Sequence, residues 1–292
     1  MSLNFLHRYY TEVLPNPRVL ELCGVHEPHA PYTPATDPDL TVIISAWARP
    51  EYLPLIWEAI QYQSRRPRET WIVQNDPRGR ALVPREFLAE ARAYSTVIID
   101  SGINHGCWFR FLLAALYCRT RYVAIFDDDT LPGSDALATA VGSLEKQSGL
   151  YGGRGIIFRN EGNGPQFCVH DVEGWPAGTA ETTPVDFVGH MWVTESRWMR
   201  ELFRYLPERL FDAADPAHEC GEDMYLSFVA QRCGLSTFVY PHGQGCNPRW
   251  SSIQAYEMGQ HANAMSFCGH LSAGDEYLRL AVATGWRLLR FG

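Results

Sequence analysis

Short, unbroken apolar runs alternate with longer amphipathic segments along the first half of the chain. Such runs, rich in Val and Ile, are typical of strands buried on both faces of a sheet; they occupy residues 41–45, 70–74, 96–99 and 122–126. Apolar residues at three- and four-residue steps predict helices between the runs, at residues 50–60, 84–93 and 105–118. This alternation predicts an α/β fold with a mostly parallel central sheet flanked by helices. In the third helix the predicted apolar face consists of Phe109, Leu112, Leu113 and Leu116.

The second half of the chain has a less regular pattern. Strands are predicted at residues 150–158, 185–193 and 236–240, and helices at 195–205 and 221–233. No Pro/Gly/Ser-rich linker or change of composition separates the two halves, so we expect one α/β domain at 39–245. An N-terminal extension is expected at 1–38, and a helical segment packed on the same domain at 246–292. Residues 277–291 predict a core-packing helix, with a membrane-surface helix as the alternative.

Composition and charge narrow the class of protein. The chain has 292 residues, is 46% apolar and carries a net charge of −8 without a block of basic residues, which argues against a nucleic-acid partner. No apolar run reaches about 18 residues, and the first residues lack the apolar core of a signal peptide, so a soluble cytoplasmic protein is expected. None of the eight cysteines forms a Cys-x-x-Cys pair. Reduced core thiols are therefore expected rather than a zinc cluster, with one disulfide left open.

Polar residues follow the apolar runs at the points where each predicted strand ends. Asp127, Asp128 and Asp129 come directly after the run at 122–126. Ligands in open α/β sheets bind beyond the carboxyl ends of the strands, and three crowded carboxylates do not all stay charged without a cation. Mg²⁺ and Mn²⁺ bind through one or two carboxylates together with substrate phosphates. The pattern predicts a metal–diphosphate site; the alternative is an acidic loop before the helix near Ser134.

The first half lacks three common nucleotide or hydrolase motifs. It has no glycine fingerprint for nicotinamide cofactors, no Gly-x-x-x-x-Gly-Lys-Ser/Thr loop and no Gly-x-Ser-x-Gly elbow. This argues against hydride transfer, P-loop phosphoryl transfer and serine hydrolysis.

Three segments in order resemble a GT-A type glycosyltransferase. They are Phe-Asp-Asp-Asp-Thr-Leu at 126–131, Val-Asp-Phe-Val-Gly-His-Met-Trp at 185–192 and Cys-Gly-Glu-Asp-Met-Tyr-Leu-Ser-Phe at 220–228. The pattern is most similar to the exostosin-like family, and next to family 2 glycosyltransferases. The glycine between Cys220 and Glu222 departs from the exostosin-like pattern. The resemblance covers residues 40–245 and makes the domain at 39–245 the catalytic domain.

The resemblance implies a nucleotide-sugar donor, commonly a UDP-sugar, and a Mn²⁺ or Mg²⁺ ion. It implies metal ligation by Asp127, Asp129 and His242, with a core histidine as the alternative for His242. The implied donor-binding residues are Ala46, Arg49, Asp76, Arg110, Asp127 and Asp128.

Three of the donor-binding predictions have plain alternatives. Asp76 precedes a proline and also fits an Asx turn. Arg49 also fits an exposed surface arginine, and Arg110 a helix-surface ion pair.

The resemblance also places catalytic and acceptor-binding groups in the second half. Asp223, with Glu222 beside it, is implied to be the general base that deprotonates the acceptor hydroxyl; the alternative is a pair of acids favoured at a helix N-terminus. The implied acceptor-binding residues are His190, Trp192 and Trp250. The two tryptophans are expected to stack on a sugar, and packing in the core or on an amphipathic surface is their alternative. Whether the reaction retains or inverts the anomeric configuration of the transferred sugar stays open.

The expected function is transfer of a hexosyl or N-acetylhexosaminyl group from the donor to a carbohydrate or other hydroxyl acceptor. One alternative is a nucleotidyltransferase acting on sugar phosphates, although the loop at 46–50 lacks the glycines such enzymes use. The other is a non-catalytic carbohydrate-binding protein of the same fold.

Overall fold

The structure is a computed structural model, and it describes residues 36–47, 49, 52–75, 85–100, 107–162, 164–201, 221–243 and 271–291. Predictions that lie wholly or partly outside these residues include the N-terminal extension up to residue 35, Asp76, the end of the helix at 195–205, the C-terminal segment up to residue 270, and Trp250.

Eleven strands and seven helices are formed by the described residues. The strands are β1 Thr36–Ala46, β2 Arg66–Gln74, β3 Thr96–Asp100, β4 Tyr122–Phe126, β5 Gly149–Gly152, β6 Arg154–Phe158, β7 His170–Gly174, β8 Thr183–Pro184, β9 Phe187–Gly189, β10 Met191–Glu195 and β11 Ser236–Val239. The helices are α1 Leu53–Gln61, α2 Arg85–Arg92, α3 Phe109–Tyr117, α4 Ala136–Lys146, α5 Ser196–Met199, α6 Glu222–Arg232 and α7 Leu271–Ala283.

The main sheet has the strand order β3-β2-β1-β4-β10-β5-β11-β8. Strands β1 to β4 pair in parallel, and β11 pairs in parallel with β5. β10 runs antiparallel between β4 and β5, and β8 is antiparallel to β11. The predicted α/β fold with a mostly parallel central sheet flanked by helices is confirmed.

Both faces of the sheet are covered, as the unbroken apolar runs require. Along β1, Val42 and Ile44 pack into the core on one face, with α1, α2 and α4, while Ile43 packs on the other face, with α3, α6 and α7. Burying such a side chain contributes about 1.5–3 kcal/mol. All five residues of β4 are buried, so the strand that ends at the aspartates is held from both sides.

Two predicted strands are each split between the main sheet and a smaller antiparallel sheet, β7-β6-β9. The predicted strand at 150–158 breaks at Gly153 into β5 and β6, and that at 185–193 breaks at His190 into β9 and β10. His190 has a φ of +69°, a left-handed conformation that interrupts extended backbone. This break lies beside the end of β4, because the Thr130 hydroxyl donates to the His190 carbonyl at 2.7 Å.

The apolar face predicted for the third helix is correct in part. Leu113 is buried, and Phe109 and Leu112 pack against the core. Leu116 is 49% exposed, however, whereas Arg110 and Phe111 are buried. Arg110 can take a buried position because its guanidinium pairs with two acids.

Of the C-terminal segment, residues 271–291 are described, and they pack on the same core as α6. Helix α7 ends at Ala283 rather than extending to 291, and Trp286 and Leu288 after it are buried. The buried Asp186 carboxylate accepts from the Leu289 and Phe158 backbone N–H groups, each at 2.8 Å. In the described part of the chain, no helix combines the length and apolar character needed to cross a membrane.

Candidate active site

The carboxyl ends of β1, β2 and β4 lie at one edge of the main sheet. Ala46 is paired with Gln74, and the Asn75 N–H donates to the Ala46 carbonyl at 2.8 Å. Ile44 on β1 is level with Phe126 on β4. The residues after these strands therefore meet, as the predicted topology requires.

Asp128 ties the segment after β1 to the end of β4. Its Oδ2 accepts from the Trp47 and Arg49 backbone N–H groups at 3.1 and 3.3 Å, and its Oδ1 accepts from the Arg49 side chain Nε at 2.9 Å. Both oxygens of this buried carboxylate are engaged inside the protein. The predicted donor contact of Asp128 is therefore corrected to a structural role.

Arg49 pairs with two of the three aspartates. Its NH2 lies 2.6 Å from Asp128 Oδ1, and its NH1 lies 2.7 Å from Asp129 Oδ2. The side chain is buried, which excludes the exposed-surface alternative.

Arg110 joins the end of β4 to the start of α6. Its NH1 lies 2.8 Å from Asp127 Oδ1, its NH2 lies 2.8 Å from Glu222 Oε1, and only 7% of the residue is exposed. The guanidinium carbon stands 5.0 Å from the ring centroid of Phe111 and 4.9 Å from that of Trp192. An acid at the end of β4 and an acid at the start of α6 thus share one buried cation.

Burial raises the pKa of several carboxyls in this cluster. The pKa of Asp127 rises to about 7 through burial, with Arg110 opposing the rise and Asp129 adding to it. Burial also raises the pKa of Asp129, and Arg49 opposes this. Among the described residues, the five acids at 127–129 and 222–223 share two arginines, so the site holds more negative than positive charge.

Asp223 lies in the first turn of α6, after Gly221 in a left-handed conformation with φ +96°. Its Oδ1 accepts from the Met224 N–H at 2.7 Å, and its Oδ2 is 3.8 Å from where a Cβ on Gly189 would stand. Burial first, and then the neighbouring Glu222, raises the pKa of Asp223 to about 7. The carboxylate therefore faces the end of β9, one residue from the break at His190.

His190 is half-buried at this break. Its ring lies 5.2 Å from the Trp175 ring. Burial lowers the pKa of His190 to about 3, and Arg154 and Arg49 lower it further. The imidazole is therefore neutral near pH 7, with one donor and one acceptor nitrogen. Its acceptor-binding role stays a prediction.

The predicted sugar-stacking role of Trp192 is corrected. The residue is 3% exposed, its Nε1 donates to the Val188 carbonyl at 2.9 Å, and its ring meets Phe111 edge-on at 5.2 Å. No ring face is open to a sugar. Trp192 instead supports Arg110 from inside the core.

The predicted metal-ligand role of His242 is also corrected. The ring is 4% exposed, with Nε2 2.9 Å from the Gly153 carbonyl and Nδ1 3.0 Å from the Gly243 carbonyl. Its backbone bridges to Thr179. Both nitrogens lie against carbonyl oxygens, so the histidine fixes the chain after β11. Across the described ranges, no three His, Cys, Asp or Glu side chains group closely enough to hold a metal.

The pairing of Arg110 with both Asp127 and Glu222 was not predicted from the sequence. A signal was present, since Arg110 is the one charged residue in the otherwise apolar α3 sequence Phe-Arg-Phe-Leu-Leu-Ala-Ala-Leu-Tyr. A buried charge is rare unless it is paired.

Comparison with known proteins gives no family assignment. No protein-family model matches the chain, and no curated protein is significantly similar. Similar solved structures include residues 1–349 of S. aureus TarS, at 15% identity and a TM-score of 0.46 over 75% of this chain and 63% of that chain. A longer S. aureus TarS structure gives 14% identity and 0.48 over 75% and 38%. Residues 1–349 of TarS in complex with UDP give 15% identity and 0.46 over 75% and 63%. The chain thus spans about 63% or 38% of these chains, and likenesses at this level carry no assignment of function.

Proposed function

We propose that the chain is a GT-A type glycosyltransferase that transfers a sugar from a nucleotide-sugar, with UDP as the expected nucleotide, to a hydroxyl acceptor. The observation that carries the proposal is the Arg110 bridge between Asp127 and Glu222. It brings the acids at the end of a parallel strand together with the acids that begin α6. Glycosyl transfer needs such a pair of regions, because donor and acceptor must meet with reacting atoms about 3–3.5 Å apart.

The carboxylates at the end of β4 fit a divalent cation. Asp127 and Asp129 each use one oxygen in their ion pairs with arginine, and burial, together with the neighbouring acids, raises their pKa values. Mg²⁺ and Mn²⁺ need only one or two carboxylates when a substrate diphosphate supplies further oxygens. Asp127 and Asp129 are therefore the proposed ligands. When bound, the ion stabilises the negative charge that develops on a diphosphate leaving group.

Asp223 is the proposed general base. A base works best when its pKa lies near the operating pH, and the pKa of Asp223 is raised to about 7. In an inverting reaction its carboxylate takes the proton of the acceptor hydroxyl. In a retaining reaction the same carboxylate lies beside the reacting sugar. Glu222 is the less suited candidate, because its Oε1 is held by Arg110.

His190 is the proposed acceptor-side residue among those the structure describes. It follows Gly189, the residue that faces Asp223, and as a neutral ring it offers both a donor and an acceptor. Asp76 and Trp250 stay predictions for the base of the donor and for the acceptor. The transferred group is proposed to be a hexosyl or N-acetylhexosaminyl group.

A panel of nucleotide-sugars incubated with Mn²⁺ tests the proposal without knowledge of the acceptor. Slow hydrolysis of one donor to a nucleoside diphosphate and free sugar is the expected result. Release of a sugar phosphate with a nucleoside monophosphate would contradict transfer at the sugar carbon. A chain that binds UDP but turns over no donor in the panel would instead be a binding protein, and the proposal would be wrong.

A further inference from the structure

The contacts of Arg110 differ from those expected of an arginine that binds a phosphate, whose terminal N–H groups would face the ligand. Both terminal nitrogens lie 2.8 Å from protein carboxylates, Asp127 on one side and Glu222 on the other. The residue is 7% exposed, so little of the guanidinium remains for a ligand. A planar guanidinium presents its N–H groups in a fixed fork, and the two carboxylate oxygens are therefore held on neighbouring nitrogens.

Two aromatic rings fix the guanidinium in place. The Phe111 and Trp192 ring centroids stand 5.0 and 4.9 Å from its carbon, and the two rings meet edge-on at 5.2 Å. Trp192 is anchored by its own hydrogen bond to the Val188 carbonyl. Cation–π contacts are stronger when the cation and the rings are removed from water, as they are here. The guanidinium of Arg110, which belongs to α3, thus also packs against β10 through Trp192.

The two acids held by the fork come from different parts of the chain. Asp127 follows β4, and Glu222 begins α6, 112 residues after Arg110 in sequence. Asp223 is the next residue in the same helical turn. Burial lowers the pKa of Arg110, but the charges of Asp127 and Glu222, with smaller effects of Cys107 and Asp223, outweigh it and raise that pKa. Any movement of Glu222 away from Asp127 would carry Asp223 with it.

We infer that Arg110 is a positioning residue, which holds the first turn of α6 against the end of β4 and so sets the place of Asp223 relative to the donor. This deepens the proposed function and rests on it. Arg110 acts through Glu222 and makes no contact with the sugar. The earlier prediction that Arg110 binds the donor would make it a substrate contact, and the two roles differ in what a substitution changes.

The test uses Arg110→Lys and Arg110→Met in the full chain, with donor hydrolysis and UDP calorimetry in Mn²⁺ as readouts. Lysine keeps the charge but is a point donor without the fork, and it should not restore the activity. Because a misplacement of about 1 Å can cost about 10²-fold in rate, kcat should fall by about 10²-fold in both variants. The change in the Kd for UDP should be clearly smaller than the change in kcat, because Arg110 also pairs with Asp127 but its substitution leaves Asp127 and Asp129 in the chain as ligands for the ion. Unchanged kcat, or equal losses in kcat and in UDP affinity, would overturn the inference.

A double-mutant cycle with Glu222→Met decides whether Arg110 acts through Glu222. If it does, Arg110→Met should lower kcat by less than about 3-fold once Glu222 is gone, since effects through one contact are not additive. Full additivity would overturn the inference. The double variant also leaves fewer unpaired buried charges than Arg110→Met alone, so it and Arg110→Lys serve if the single Met variant does not fold.

Arg65 supplies the matched control. It pairs with Glu145 at 2.9 Å and stands 5.7 Å from the Tyr122 ring centroid, away from the aspartates. Arg65→Met and Arg65→Lys should leave kcat unchanged. A wild-type chain that hydrolyses no nucleotide-sugar refutes the proposed function. Active wild-type protein with active Arg110 variants refutes only the positioning role.

Discussion

Replacing Asp223 with Asn separates a general base from a helix-end acid. The amide has the shape of the carboxylate, and its oxygen can still accept from the Met224 N–H that Asp223 Oδ1 binds at 2.7 Å. Asn is also a good residue for helix N-termini. The substitution therefore keeps the local fold and removes the basic group.

In the Asp223→Asn variant we expect kcat to fall and the melting temperature at pH 8 to rise. Removing a general base lowers kcat by about 10²–10⁴-fold. The folded pKa of Asp223 is about 7 against an ordinary value of 3.8, so the native state holds the proton more tightly than the unfolded state. The protonated carboxyl therefore contributes to the free energy of unfolding at low pH, and this contribution is lost as the pH rises from about 4 to 7. About three pKa units correspond to on the order of 4 kcal/mol. At pH 8 the neutral Asn variant should thus melt several degrees higher than the wild type.

Hydrolysis of the donor and thermal melts at pH 8 measure both effects. Asp135→Asn is the control, because Asp135 lies at the start of another helix, α4, where its side chain makes no capping hydrogen bond; it should change neither quantity. If the Asp223→Asn protein has the kcat of the wild type, Asp223 is not the general base but an acid favoured at a helix N-terminus. A variant that loses activity and also melts lower at pH 8 would show misfolding rather than loss of a base.

Three further outcomes follow from the described contacts. Mn²⁺ should raise Tm more at pH 8 than at pH 5. Asp127 has a pKa of about 7, so at pH 5 the ion must displace its proton, whereas at pH 8 the carboxylate is already free of it; equal shifts at both pH values would contradict this. Asp128→Ala should destabilise the fold by about 3–5 kcal/mol, since it leaves the buried Arg49 without its main partner; denaturant unfolding with no change in midpoint would argue against the structural role. Asp186→Ala should cost about 1–3 kcal/mol for each of its two backbone contacts and increase hydrogen exchange at Leu289 while other core amides stay protected; unchanged exchange there would refute the anchoring role.

Local patterns were enough to predict the strands that form the site. The run Tyr-Val-Ala-Ile-Phe is fully buried as β4, because a strand between two helical layers must be apolar at every position. The ends of β1 and β2 follow from the same reasoning, and the meeting of their polar residues follows from parallel topology.

Contacts between distant segments decided what the sequence could not predict. The buried Arg110 of α3 contacts Glu222, 112 residues away, and the periodicity of a helical sequence does not contain that contact. The break at His190 depends on Thr130. Whether Trp192 is a surface platform or a core ring depends on Phe111 beside it, and nine tryptophans in one sequence give no means to choose between them.

Calorimetric titration of UDP with and without Mn²⁺ tests most directly whether a nucleoside diphosphate binds at the end of β4 through a cation held by Asp127 and Asp129. We expect UDP to bind in Mn²⁺ and this binding to be lost on chelation. We also expect a large loss of Mn²⁺-dependent affinity in an Asp127→Asn, Asp129→Asn double variant that remains folded. UDP affinity that is the same with and without Mn²⁺, or unchanged in the double variant, would contradict this mode of binding.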